Sequence, residues 1–181
     1  MGKSTAGKVL CERGIPVVDT DDLAREVVEP GQPALDEIEA AFGPEVLDEE
    51  GRLRRDELAR LVFANPEQRA RLERILHPRI KELWEQEVRI WRKDGRTAGV
   101  VIIPLLFETG AERDVDATIC IACRPETQRR RLAERGWSVE QINQRLAAQL
   151  SLEEKMNRAD YLIWTEGGLD VLAEQLERVV C

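Results

Sequence analysis

Gly2-Lys3-Ser4-Thr5 has the residue types and order of the second half of a phosphate-binding loop, G-x-x-x-x-G-K-[ST]. In such a loop the lysine reaches the β- and γ-phosphates and the hydroxyl residue holds Mg²⁺. Backbone N–H groups at a helix start face the phosphate oxygens. Those roles fall here on Lys3, on Ser4 and on the amides of Gly2–Thr5. Only Met1 stands before Gly2, so the glycine cradle and the strand that usually precede the motif are missing. The same tetrapeptide also suits a capped helix start with Ser4 or Thr5 as cap.

Three other groups of residues have the chemistry to serve a phosphate site. Asp19, Asp21 and Asp22 follow the apolar run Ile15–Val18. A carboxylate just past a strand end can take a proton from a substrate hydroxyl. Asp21 lies further past the strand than Asp19 and is freer to face a cleft. The alternative is that all three cap the next helix. Arg129, Arg130, Arg131 and Arg135 crowd one predicted helix, with Arg131 and Arg135 four apart on one face. Guanidinium pairs suit phosphate oxygens, and a solvated face paired with Glu126 and Glu134 is the other reading. Pro104-Leu105-Leu106-Phe107-Glu108 follows the run Gly99–Ile103 directly, as core or as ligand contact. His77 precedes Pro78, which biases its backbone towards an extended conformation.

The elements that must position these residues alternate in type. Four apolar runs read as strands buried on both faces: Ile15–Asp19, Gly99–Ile103, Ala117–Ala122 and Asp160–Trp164. Ser4–Arg13 reads as a helix stopped by Gly14. The stretch 32–93 reads as several helices, punctuated at Gly43-Pro44, Asn65-Pro66 and His77-Pro78. Glu126–Arg135, Val139–Gln149 and Leu169–Val180 read as three more. The alternation predicts an α/β fold with a doubly wound parallel sheet. Ligands of such sheets sit at the carboxyl ends of the strands.

The 181 residues suffice for one α/β domain with a small inserted lobe. A net charge of −8 and a pI of about 4.9 argue against a general nucleic-acid binder. An anionic small substrate remains compatible if positive charge gathers locally. No apolar run has membrane-helix length and no signal peptide is evident, so the expectation is a cytoplasmic protein without a membrane partner. Cys120 and Cys123 form a C-x-x-C inside an apolar strand, where thiols behave as small hydrophobes. With His77 the only histidine, a structural zinc site is short of ligands.

Taken in order, these segments resemble the dephospho-CoA kinase family of P-loop kinases. The resemblance runs through GKST, D-T-D-x-x-A-R (Asp19–Arg25), VVEPGQPAL (Val27–Leu35) and VFANPEQRARLERILHP (Val62–Pro78). It continues through PLLFE (Pro104–Glu108), the helix of Gln128, Arg131 and Arg135, RLAAQ (Arg145–Gln149) and EEKMNRADYLI (Glu153–Ile163). The resemblance implies phosphorylation of the ribose 3′-hydroxyl of dephospho-CoA by ATP with Mg²⁺. It implies Asp21 as general base. It places Gly2, Lys3, Ser4, Thr5, Arg131 and Arg135 on ATP, with Ser4 on the metal. It assigns Arg25, His77, Pro104, Leu105, Glu108 and Gln149 to the dephospho-CoA side. The implied fold is one P-loop kinase domain over 1–181, with a helical CoA lobe at 32–93 and a lid at 124–155.

Three departures stand out. The family's first, central strand and its glycine-rich opening are missing. Ile102 replaces an aspartate often found two residues before the PLL proline, and Thr165 replaces the asparagine of an I-x-N-x-G ending. Met1 aligns with the variable position of the loop, and the expectation is that the natural polypeptide begins ten to fifteen residues upstream, about one strand plus a loop. Two other readings stay open: a small P-loop kinase of another nucleotide or metabolite, and a non-catalytic remnant that binds a CoA-like ligand.

Overall fold

The computed structural model describes residues 2–63 and 65–180; Met1, the loop position read from the sequence, and Cys181 lie outside them. The chain forms two compact units, Val18–Val101 and Met1–Val17 with Ile102–Cys181. Among the described residues there are two two-stranded sheets. One pairs β1 (Val17–Asp19) with β2 (Val100–Ile102). The other pairs β3 (Ile119–Ala122) with β4 (Tyr161–Trp164), parallel, with Ile119 opposite Tyr161 and Ala122 opposite Trp164. No helix among the described residues is long and apolar enough to cross a membrane.

The unit Val18–Val101 is helical. Asp19 caps α2 (Thr20–Glu26) by accepting the Asp21 amide at 3.0 Å. α3 (Pro33–Phe42) ends at Gly43, and a short 3₁₀ turn follows at Pro44–Val46. α4 (Arg55–Phe63) and α5 (Pro66–Lys93) complete the unit. Val27, Val28, Ala34, Ile38, Val46 and Leu58 form its core, with Leu72, Ile75, Leu76, Ile80 and Leu83 of α5 packed against them. α2 packs on α5 within this unit, which begins at Val18.

His77 and Pro78 do not interrupt the helix as expected. α5 runs through both for 28 residues. An internal proline removes one backbone bond and crowds the preceding turn, at about 3 kcal/mol. The apolar stripe of α5 offsets this, because Leu72, Ile75, Leu76, Ile80 and Leu83, each partly buried, all pack on one core and apolar surface removed from water contributes about 25 cal/mol per Å². Arg79 steadies the same turn by donating to the Ile75 carbonyl at 2.7 Å and to Glu37 of α3 at 2.6 Å.

The other unit holds α1 (Lys3–Glu12), α6 (Leu106–Thr109), β3, α7 (Pro125–Ala133), α8 (Val139–Ala147), α9 (Leu152–Arg158), β4 and α10 (Leu169–Val180). α1 packs on α10 and α10 on β4, around Leu10, Ile163 and Leu176, each no more than 2% exposed. Gly7 lets Ile102 approach α1, for a Cβ there would lie 2.8 Å from Ile102 Cδ1. Ile102, the departure from aspartate, is thus packed against α1. β4 differs from the both-faces-buried expectation: Ile163 is buried, but Tyr161, Leu162 and Trp164 are exposed. Gln175 of α10 shields its backbone, accepting from Trp164 N at 3.0 Å and donating to Trp164 O at 3.1 Å.

Asp160 latches the start of the β3–β4 pair. It accepts the Thr118 amide at 2.8 Å and hydroxyl at 2.7 Å, while its own N–H donates to Thr118 Oγ1 at 3.0 Å. The Thr118 hydroxyl, then its amide, hold the Asp160 carboxyl below the usual aspartate range of 3.8. A depressed carboxyl adds stability above its unfolded pKa and loses it as pH falls through the folded value. The urea midpoint of the protein should therefore drop as pH goes below the ordinary aspartate value, and drop less in Asp160→Asn. In the helical unit, Ile38→Ala should lower unfolding free energy by about 2–5 kcal/mol in urea denaturation, because Ile38 is fully buried.

Candidate active site

Gly2 stands at the start of α1 with φ 96°, a left-handed conformation that suits only glycine comfortably. It brings the helix N-terminus into position without a side chain. No side chain caps this end and its first turn holds no acidic residue. The first-turn amides and the helix dipole present a positive end, beside which Lys3 adds its charge. Ser4 and Thr5 are exposed on the same turn, while Ala6, Gly7 and Leu10 face inward.

A cleft of about 320 Å³ opens at this helix end. Gly2 and Thr5 form one wall, Arg131, Glu134 and Arg135 another, and Thr165 with Gly167–Leu169 the floor. Four of the residues the sequence assigned to ATP therefore meet at one cavity. Lys3 and Ser4 belong to the same helical turn. The floor residues after β4 carry no phosphate signature of their own in the sequence, where Thr165 stands out only as a departure from asparagine.

Arg131 is set by Thr165. Its Nη1 donates to Thr165 Oγ1 at 3.0 Å and its Nη2 to the Thr165 carbonyl at 2.8 Å. Thr165 is itself held by two bonds to the Ala122 carbonyl, from its N–H at 2.8 Å and from its hydroxyl at 3.0 Å. Arg135 shares the cleft but not the helical face expected for it. α7 stops at Ala133, and the Arg135 amide donates to Leu132 at 3.1 Å in a tightened final turn. Glu166 fixes the start of α7, accepting from Arg124 N at 2.7 Å and from Thr127 Oγ1 at 3.1 Å. The Arg124 amide, the Thr127 hydroxyl and the charges of Arg124 and Arg131 hold its carboxyl below the usual glutamate range, against a smaller effect of burial.

Glu108 and Gln149 come together in this unit. Glu108 Oε1 meets Lys155 Nζ at 2.8 Å and accepts the Leu150 amide at 3.0 Å; Lys155 also donates to Gln149 Oε1 at 3.1 Å. Burial pushes the Glu108 carboxyl up, but the Lys155 ammonium and backbone N–H groups together outweigh it and leave it below the ordinary value. Lys155 is 8% exposed, and no sequence feature singled it out. Pro104 and Leu105 are half-buried just before α6. Cys120 and Cys123 are buried free thiols, and burial raises Cys120 despite the charges of Lys155 and Lys3.

In the helical unit, Asp21 and Asp22 occupy the first turn of α2. Asp22 takes Arg25, with Oδ1 and Nη1 2.9 Å apart at the surface. Asp19 thus caps α2 and Asp22 pairs with Arg25. His77 lies mid-way along α5.

A sequence model of the dephospho-CoA kinase family matches residues 1–170. A dephospho-CoA kinase of Bacillus cereus is 42% identical over 180 residues, covering 99% of this chain and 90% of its own length. One of Symbiobacterium thermophilum is 43% identical, covering 97% of this chain and 74% of its own length. Among solved structures, a Thermus thermophilus protein matches with TM-score 0.84 and 37% identity over 98% of this chain and 90% of its own. The dephospho-CoA kinase from Campylobacter jejuni matches with TM-score 0.72 and 27% identity over 98% of this chain and 89% of its own. On the family match and these full-length relatives, this chain belongs to the dephospho-CoA kinase family.

Proposed function

We propose that this chain transfers the γ-phosphoryl group of ATP to the ribose 3′-hydroxyl of dephospho-CoA, giving coenzyme A. The observation that carries the reading is the cleft itself. An uncapped helix N-terminus and two arginines, Arg131 and Arg135, converge on one cavity in a chain of net charge −8. That arrangement fits the phosphates of a nucleotide.

Lys3 reaches the β- and γ-phosphates, and the amides at the start of α1 cradle them. Arg131 and Arg135 offset the charge that spreads over the transferring group. Asp21 takes the proton of the attacking hydroxyl. Arg25, His77, Pro104 and Leu105 receive dephospho-CoA. Ser4 is the residue for Mg²⁺, and its exposed hydroxyl on the first turn fits that task. Magnesium takes one or two protein ligands beside phosphate and water oxygens, so the absence of any His, Cys, Asp and Glu cluster among the described residues does not count against it. The cation neutralises phosphate charge when bound with ATP.

The finer reading of fold and setting is part of the same proposal. It takes the chain as a single P-loop kinase domain with a CoA lobe at 32–93, a lid at 124–155 and a cytoplasmic home.

Asp21→Asn should leave ATP affinity nearly unchanged and lower turnover of dephospho-CoA by about 10²–10⁴-fold, the range for a general base. Calorimetric ATP titration and a coupled ADP assay read the two quantities, and unchanged turnover would remove Asp21 as the base. Lys3→Ala should weaken both ATP binding and turnover in the same two assays. A wild-type chain that binds ATP and leaves dephospho-CoA unphosphorylated would overturn the enzymatic reading.

A further inference from the structure

The arm that carries Arg131 and Arg135 has almost no core of its own. Between Arg124 and Ala148 only Ile142 is buried. Segments with so little burial take their position from the points where they are rooted. The first root is visible at Glu166 and Thr165, which hold Arg124, Thr127 and Arg131.

The second root lies where the arm returns into α9. Glu108 and Glu112 sit four residues apart, and Lys155 and Arg158 of α9 sit three apart. The two rows meet as two ion pairs, Glu108 with Lys155 and Glu112 with Arg158. The Arg158 guanidinium also lies 4.7 Å from the centre of the Phe107 ring. The pairs are not equivalent. The Glu112–Arg158 side chains are 22% and 38% exposed, whereas those of Glu108 and Lys155 are 17% and 10% exposed. Only the more buried pair grips the arm. Lys155 donates to Gln149 Oε1, and Glu108 Oε1 accepts the Leu150 amide. Each partner thus spends a second bond on residues 149–150, beyond the bond between themselves.

We propose that Lys155 is a positioning residue for ATP: paired with Glu108, it fixes residues 149–150 as the second root of the arm and thereby sets Arg131 and Arg135 at the cleft. This rests on the kinase reading only in taking the cleft as the ATP site. Glu108 and Gln149 act through the same root rather than by touching dephospho-CoA.

The test uses the full chain with three variants: Lys155→Met, the double variant Glu108→Gln/Lys155→Met, and Gln149→Ala. Lys155→Met leaves a lone buried carboxylate and should melt earlier than wild type. The double variant leaves no buried charge and should recover most of that loss. Despite this, it should bind ATP about tenfold or more weakly in calorimetry without a second substrate, since small misplacements of binding groups have effects of that size. Its KM for ATP should rise alongside, with KM for dephospho-CoA little changed. Gln149→Ala, which removes no charge, should weaken ATP binding in the same direction. Wild-type ATP affinity in a folded double variant would overturn the inference and leave the pair a purely structural contact. Should the double variant not fold, unchanged ATP affinity in Gln149→Ala has the same consequence. Because binding is read without dephospho-CoA, a wild type that fails to phosphorylate that substrate overturns the kinase reading alone.

Discussion

Thr165 is the point on which the cleft at the start of α1 depends. Its hydroxyl and amide both donate to the Ala122 carbonyl, so the chain leaving β4 is tied to the end of β3. The same hydroxyl accepts from Arg131, and the Thr165 carbonyl accepts a second Arg131 bond. A Cβ on Gly2 would stand 3.5 Å from Thr165 Cγ2, so the start of α1 also closes on this residue. The strand ends, the helix N-terminus and one cleft arginine thus share a single side chain. Thr165 is 6% exposed, and a bond to a charged group in such a place is worth about 1.5–3 kcal/mol. A threonine in place of the usual asparagine therefore still organises the site: its hydroxyl donates to one partner and accepts from another.

The second constraint is electrostatic. A chain of net charge −8 must attract an anion to one spot. Exposed charges beyond about 8 Å are largely screened at physiological salt, so what matters is the sign of the immediate walls. The first turn of α1 has no acidic residue. Glu134 lines the cleft beside Arg131 and Arg135 but lies within 3.8 Å of Arg130, while Glu166 is bonded to the start of α7. Global acidity and local attraction for phosphate are thus compatible, because Arg131, Arg135 and the α1 N-terminus outweigh the Glu134 carboxylate in the cleft wall.

Much of this was legible in the sequence. The four apolar runs mark the four strands, each one or two residues too long, and Leu169–Val180 is helical to the residue. GKST and the arginine cluster point to one cleft because both are local chemical signals. What escaped was decided by tertiary contacts. Pro78 reads as a break, since sequence shows the lost backbone bond but not the core beneath Ile75 and Ile80. Arg135 reads as helical, since the tightened turn after Ala133 has no strong marker. Trp164 reads as buried, though α10, packed on β4, covers only part of it. Lys155 was invisible, because a lysine among Glu153, Glu154 and Arg158 looks like solvated surface until the fold buries it.

That burial has an energetic consequence. Removing a carboxylate and an ammonium from water is expensive, and an apolar pair of similar size often serves stability as well or better. Glu108 even leaves Oε2 buried without a partner, a deficit of about 1–3 kcal/mol. All its bonding is gathered on Oε1, which receives Lys155 and the Leu150 amide together. Two leucines in these places would fill the space but could accept neither the Leu150 amide nor hold the Gln149 amide oxygen. The ion pair does what apolar packing cannot: it fixes the direction of the chain returning from the arm. Thr165 and Glu166 do the same at the other end with a neutral hydroxyl and an exposed carboxylate. The cleft arginines are thus held in an otherwise exposed arm by polar bonds at its two roots, which specify geometry more sharply than burial would.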